Sequence, residues 1–114
     1  MKALLIDPKT RTITSIDVNG KLEDYYKHLE CSTIECPVIY PNNDALYCDE
    51  EGWLHYTEEM CGFMFPEWSY AILGKGLIIG TDDMGNSKDC KSTSEDFANI
   101  IWRTEVQMYI QGRK

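Results

Sequence analysis

Short apolar blocks recur along the chain, separated by turns rich in glycine, proline, asparagine and acid. Residues 2–6 form a first run that stops at Asp7-Pro8-Lys9-Thr10, where proline fixes the turn and offers no N–H to a ladder. Residues 12–18 follow, dense in β-branched side chains, so the two runs predict an opening hairpin. Asn19-Gly20 breaks it. Leu22, Tyr25, Tyr26 and Leu29 then fall at i, i+3, i+4 and i+7, which predicts a helix over residues 21–30.

Ile34, Cys36, Val38 and Tyr40 alternate with polar or proline positions, as a strand with one buried face does. Pro37 within that run points to a sheet edge or a bulge. After the turn Pro41-Asn42-Asn43-Asp44, residues 45–48 predict a short strand ending at Asp49-Glu50-Glu51-Gly52, with residues 53–56 returning beside it. Residues 57–69 are apolar yet interrupted by Gly62 and Pro66, and read as a loop whose aromatics dock on the body or on a partner. Residues 70–73 and 77–81 are apolar enough to be central strands on either side of Gly74-Lys75-Gly76.

A second helix is expected after Ser92-Thr93-Ser94-Glu95, which has the form of a capping box. Phe97, Ile100, Ile101, Thr104 and Met108 would line one face of it, and Trp102, Val106, Tyr109 and Ile110 a second. That second stripe suggests a homodimer contact through Trp102, Val106 and Tyr109. The competing reading ends the helix near Asn99 and makes residues 100–110 a final strand, because β-branched and aromatic residues are dense there. No internal repeat or low-complexity segment is visible. The fold class expected for residues 1–114 is one α+β domain, with a mostly antiparallel sheet and two helices packed on one side.

Charge changes the picture more than composition does. Residues 22–67 hold eleven of the nineteen acidic groups and a single base, Lys27, so the middle of the chain is net −10 within a total of −8. A field of one sign repels nucleic acid and attracts basic surfaces, including those that hold DNA or RNA. The longest apolar runs are far too short to span a bilayer and the N-terminus has no signal-like core, so a cytoplasmic, membrane-free protein is expected.

Five cysteines, an odd number without paired Cys-x-x-Cys spacing, read as reduced thiols, with Cys36 and Cys48 filling strand faces. A zinc site built from His28, Cys31, Cys36 and His55 is the alternative, and its spacing is irregular. Gly74-Lys75-Gly76-Leu77-Ile78-Ile79-Gly80 lacks the ending of a phosphate loop and the helix that should follow, so strand-turn-strand is the better reading. A nucleotide held by Lys75, with stacking on Trp68 or Tyr70, remains the ligand alternative. Asp82-Asp83-Met84-Gly85-Asn86 and Asp49-Glu50-Glu51-Gly52 have the composition of hairpin turns. His28 and Cys31 are the nearest approach to a base and nucleophile, and no catalytic motif surrounds them. Neither enzymatic activity nor a cofactor or resident metal is expected.

Four ordered blocks carry a family resemblance: Met1-Lys2-Ala3-Leu4-Leu5-Ile6-Asp7-Pro8, Leu22-Glu23-Asp24-Tyr25-Tyr26, Leu46-Tyr47-Cys48-Asp49-Glu50-Glu51-Gly52, and the stretch from Leu73 through Gly80-Thr81-Asp82-Asp83-Met84-Gly85. Over roughly residues 1–100 the chain resembles the small phage- and plasmid-borne family named domain of unknown function 3846. The resemblance implies a compact protein of mobile elements with no assigned chemistry, and it supplies no catalytic residues to carry over.

The function expected is therefore binding to, and inhibition of, a basic host defence protein that handles nucleic acid, of anti-CRISPR or anti-restriction type. Glu30, Glu35, Asp49, Glu50, Glu51, Glu58 and Glu59 would stand in for phosphates, and Trp53 and Tyr56 would supply contact area. A nucleotide-signal sponge and a self-assembling phage protein are the alternatives.

Overall fold

A computed structural model describes residues 1–52, 61–69 and 71–103. Strands β1 (Lys2–Asp7) and β2 (Thr12–Asp17) form the opening hairpin, and helix α1 (Leu22–Leu29) follows. Next come β3 (Ile34–Ile39), β4 (Asp44–Asp49), β5 (Gly62–Met64), β6 (Ile72–Leu73), β7 (Gly76–Thr81) and β8 (Ser87–Lys88). A 3-10 turn (Ser94–Phe97) and β9 (Ile101–Arg103) close the described chain. The main sheet runs β2-β1-β7-β4-β3 with β8 added on β7, and a small sheet runs β6-β5-β9, with every pairing antiparallel.

β7 occupies the centre because Leu77, Ile78 and Ile79 are apolar on both faces and both faces are covered. On one side Leu77 and Ile79 join Ala3, Val18, Tyr25 and Leu29 beneath α1. On the other, Ile78 joins Leu4, Ile6, Leu46 and Cys48 against Phe63, Phe65 and Ile72 of the small-sheet layer, with Phe97. The molecule is thus helix, sheet, sheet, with an aromatic layer between the sheets: Phe65 lies 5.0 Å from Trp68 and 5.9 Å from Phe97, centroid to centroid.

α1 begins with Glu23 and Asp24 and ends with Lys27 and His28, each charge matched to the helix dipole. Asn19 accepts a hydrogen bond from the Lys21 N–H, and Asp24 accepts one from the Asn19 N–H, which fixes the entry turn. The exit is Glu30 at φ 55°, a left-handed conformation that usually falls to glycine.

Pro37 has the expected consequence. β3 is an edge strand with a bulge between Glu35 and Val38, where one extra residue stands opposite β4. The extra residue reverses the alternation, so Ile34 packs on the helix side and Val38 on the small-sheet side.

Several expectations are corrected. Among the described residues there is one α-helix, not two on one side, and the layer opposite it is a second sheet. The helix expected from residue 92 is only the 3-10 turn, after which Ile101, Trp102 and Arg103 pair with Met64, Phe63 and Gly62. The competing strand reading therefore describes residues 101–103, and residues 104–110 lie outside the described chain. The reason is tertiary: β5 offers an open edge to a segment whose β-branched and aromatic residues favour extended backbone.

The capping box is real but one residue later than expected, with Thr93 and Asp96 as the reciprocal pair. Ser92 is committed elsewhere, to Asp44. Residues 62–64, expected as loop, form a fully buried strand. β6 belongs to an edge of the small sheet instead of the centre of the main one. Cys48 fills a strand face as expected, but Cys36 is exposed, with its thiol donating to the Val38 carbonyl at 3.4 Å. The return strand expected at residues 53–56 lies outside the described chain. Among the described residues no helix is long and apolar enough to cross a membrane.

Candidate functional site

The carboxylates converge where α1 ends and β4 ends. Alternation along β4 turns Leu46 and Cys48 toward the small sheet and Tyr47 and Asp49 toward the helix, so Asp49 faces the last turn of α1. An open groove of about 670 Å³ results, lined by Glu23, Tyr26, Lys27 and Glu30 of the helix segment, Cys31 and Ser32 of the following turn, and Asp49 and Glu51. Its lining holds four carboxylates and one ammonium, that of Lys27.

A neighbouring depression of about 270 Å³ shares Glu30 and Asp49 and adds Asp7, Lys9, Cys61 and Lys75. The Lys75 ammonium lies 3.3 Å from Glu30, joining the two hollows at their common wall.

Backbone donors hold this rim in shape. Asp49 accepts from the Glu51 N–H at 2.9 Å, the Thr33 hydroxyl donates to Glu51 at 3.4 Å, and the Thr33 carbonyl accepts from the Glu50 N–H at 3.2 Å. The charges are thus presented from a turn with a defined form.

The expected acidic face separates into parts. Glu30, Asp49 and Glu51 meet at the groove, joined by Glu23. Glu50 is exposed on the same turn. Glu35 does not join them: it is cross-strand from Cys48, whose side chain is on the small-sheet face, and the Cys48 thiol points at Glu35 Oε1 from 3.9 Å. Glu58, Glu59, Trp53 and Tyr56 lie outside the described residues.

Asp44 leaves the acidic surface altogether. It is fully buried and accepts from the backbone N–H groups of Lys91 and Ser92, at 3.0 and 2.8 Å, and from the Ser92 hydroxyl. It ties β4 to the segment before the 3-10 turn, a role that only the Asn42-Asn43-Asp44 turn composition hinted at.

The nucleotide alternative finds its residues apart. Lys75 is engaged by Glu30, whereas Trp68 packs on Phe63 and Phe65 and lines a different hollow with Pro37, Val38 and Ile72; Tyr70 is outside the described residues. The glycines serve packing. A Cβ on Gly76 would stand 2.7 Å from Phe63 Cζ, and one on Gly80 2.2 Å from the Asp89 carbonyl oxygen. Asp82 caps its own turn, accepting from the N–H groups of Met84 and Asn86.

The dimer stripe is corrected as well. Trp102 sits half-buried on β9 against the aromatic layer, not on a helix, and Val106 and Tyr109 are outside the described residues.

Among the described residues no three His, Cys, Asp or Glu groups gather in a metal-binding cluster. His28 faces Asp24 at 3.6 Å, and His55, from the same zinc reading, is outside the described residues. Burial, then the Asp49 carboxylate, pushes the Cys31 thiol up, and burial, then Glu35, pushes Cys48 up to about 12. A protonated thiol is a poor nucleophile, so Cys31 in the groove is not activated.

A family model described as a domain of unknown function (DUF3846) matches residues 1–101. The chain belongs to the DUF3846 family. The match covers the whole described body except Trp102 and Arg103 at the end of β9, and every groove residue lies within it. No curated protein and no solved structure matches the chain.

Proposed function

We propose that this DUF3846 protein is a phage- or plasmid-borne accessory protein that binds and blocks a basic, nucleic-acid-handling host protein inside the host cell, without catalysis. The observation that carries the reading is the convergence of Glu23, Glu30, Asp49 and Glu51 on one open groove whose lining includes one lysine, Lys27, with Lys75 pairing Glu30 at its edge. Carboxylates on a rigid rim are spaced for ammonium and guanidinium groups, as phosphates on a backbone are, and Tyr26 adds contact area. The groove's openness suits a protruding basic element of a partner more than an enclosed small molecule.

The nucleotide-sponge reading has less support. An anion placed at Lys75 would meet Asp7, Glu30 and Asp49 in the same hollow.

The test is capture of partners from host lysate at about 50 mM and about 500 mM salt, with the wild type and two variants. Glu30→Lys with Asp49→Lys is expected to release the captured protein and to weaken affinity by about a hundredfold or more. Glu35→Lys, on the opposite face, is expected to leave capture intact. Equal retention by all three proteins, unaffected by salt, would sink the proposal.

A further inference from the structure

The two long edges of the main sheet are not alike. β3 carries Pro37 and a bulge, devices that stop another strand from adding to it. β2 has neither: Thr12-Ile13-Thr14-Ser15-Ile16-Asp17 is a regular six-residue strand, paired to β1 in unbroken register, and among the described residues no strand covers its outer side. We infer that β2 is a self-association edge, which pairs antiparallel with β2 of a second copy and joins two main sheets into one.

The backbone says which groups are available. Met1 and Val18 exchange both hydrogen bonds, from the N-terminal ammonium to the Val18 carbonyl at 2.7 Å and from the Val18 N–H to the Met1 carbonyl at 2.8 Å. In an antiparallel ladder the bonded pairs alternate, so Ile16, Thr14 and Thr12 point their backbone groups at β1, while Asp17, Ser15 and Ile13 point theirs outward. Among the described residues the outward set is a row of unpaired donors and acceptors with strand-forming side chains between them.

Side chains select the register. Placing Thr14 opposite Thr14 of the second copy sets Ile13 against Ser15, Thr12 against Ile16, and Arg11 against Asp17. Arg11, in the turn just before β2 with φ 57°, is then brought close to Asp17 of the second copy on both sides of the two-fold, opposite charges together, and each Ile13–Ser15 pair exchanges backbone hydrogen bonds. Shifting by one bonded pair would put Ile13 against Asp17 and Ser15 against itself, and loses both ion pairs. The surrounding hairpin also permits the approach. Residues 1–21 carry Lys2, Lys9, Arg11 and Lys21 against Asp7 and Asp17, so this is a locally basic part of a chain with net charge −8. The two-fold axis stands perpendicular to the joined sheet, which places both α1 helices, and both acidic grooves, on the same side.

Light scattering on the eluting protein tests this. The wild type is expected at twice the 13.2 kDa of the chain, and Ser15→Pro at 13.2 kDa with an unchanged near-ultraviolet circular dichroism spectrum, because the lost N–H is one that β1 does not use. Arg11→Asp and Asp17→Arg are each expected to weaken the dimer about fivefold to tenfold, and the double swap to restore it, which settles the matter even if the proline variant fails to fold. A wild type that stays at 13.2 kDa up to about 1 mM, a folded Ser15→Pro that keeps the doubled mass, a double swap weaker than both single changes, or masses that grow without limit would each overturn the inference.

Discussion

The face of the main sheet that carries α1 and the face that carries the small sheet are made by alternate residues of the same strands, yet they do different work. Toward the small sheet, Leu46, Cys48 and Ile78 meet Phe63, Phe65 and Phe97 in an aromatic layer where Phe63 is fully buried. Toward the helix, Leu77, Ile79 and Tyr47 are covered by Tyr25 and Leu29, and one turn of helix later the surface is polar and charged. An eight-residue helix covers less of a sheet than a second sheet does, so its end leaves strand termini and carboxylates open to water. The contrast teaches that the groove exists where coverage of the sheet runs out, and stability resides mainly on the other side.

Truncating the aromatic layer should produce the largest effect. Phe63→Ala is expected to cost about 3–5 kcal/mol in denaturant unfolding, since it removes a buried ring that touches both sheets. A loss below about 1 kcal/mol would show that the small sheet contributes little and would erase the contrast.

Alkali should act next, and on the same side. The folded protein holds the Cys48 proton up to about 12, against an ordinary value of 9.0, so the native state binds that proton more tightly than the unfolded chain. Stability from this source is complete below pH 9.0 and falls as the pH rises from there toward 12. Melting curves across that window are expected to decline less steeply for Cys48→Ala than for the wild type. Identical slopes would mean that the thiol ionises freely in the native state.

The smallest effects belong to the helix side. Tyr25 buries a hydroxyl with no hydrogen-bond partner among the described residues, so Tyr25→Phe is expected to be neutral or slightly stabilising, within about 1 kcal/mol. The Lys75–Glu30 pair, with Glu30 largely exposed, is expected to contribute under about 0.5 kcal/mol by a double-mutant cycle. A coupling several times larger would make the shared wall of the two hollows a structural joint and not an exposed rim.

Much was legible in the residues themselves. The hairpin of β1 and β2, the helix from Leu22 to Leu29, the edge position and bulge of β3 and the central place of β7 all follow from local signals: Asp7-Pro8, the i, i+3, i+4, i+7 spacing, Pro37, and an unbroken apolar run. Each is a short-range constraint on backbone or burial, so it survives whatever the rest of the chain does. The chain also belongs, by its ordered blocks, to a family that is visible without coordinates.

What only the tertiary structure decided is the fate of segments with two readings. Residues 101–103 became a strand because β5 lay open to receive them, and residues 62–64 became that strand because Phe63 fills the space left by Gly76. Grouping of charge was decided the same way. Linear clustering put Glu35, Asp44, Asp49 and Glu51 together, whereas alternation sent Glu35 to the far face, burial took Asp44 into a hydrogen-bonded clasp, and one side of α1 brought Glu23 from its first turn and Glu30 from its exit to the groove that Asp49 lines. A sequence determines how many charges a chain carries; which of them share a surface depends on strand parity, bulges and where coverage of the sheet stops.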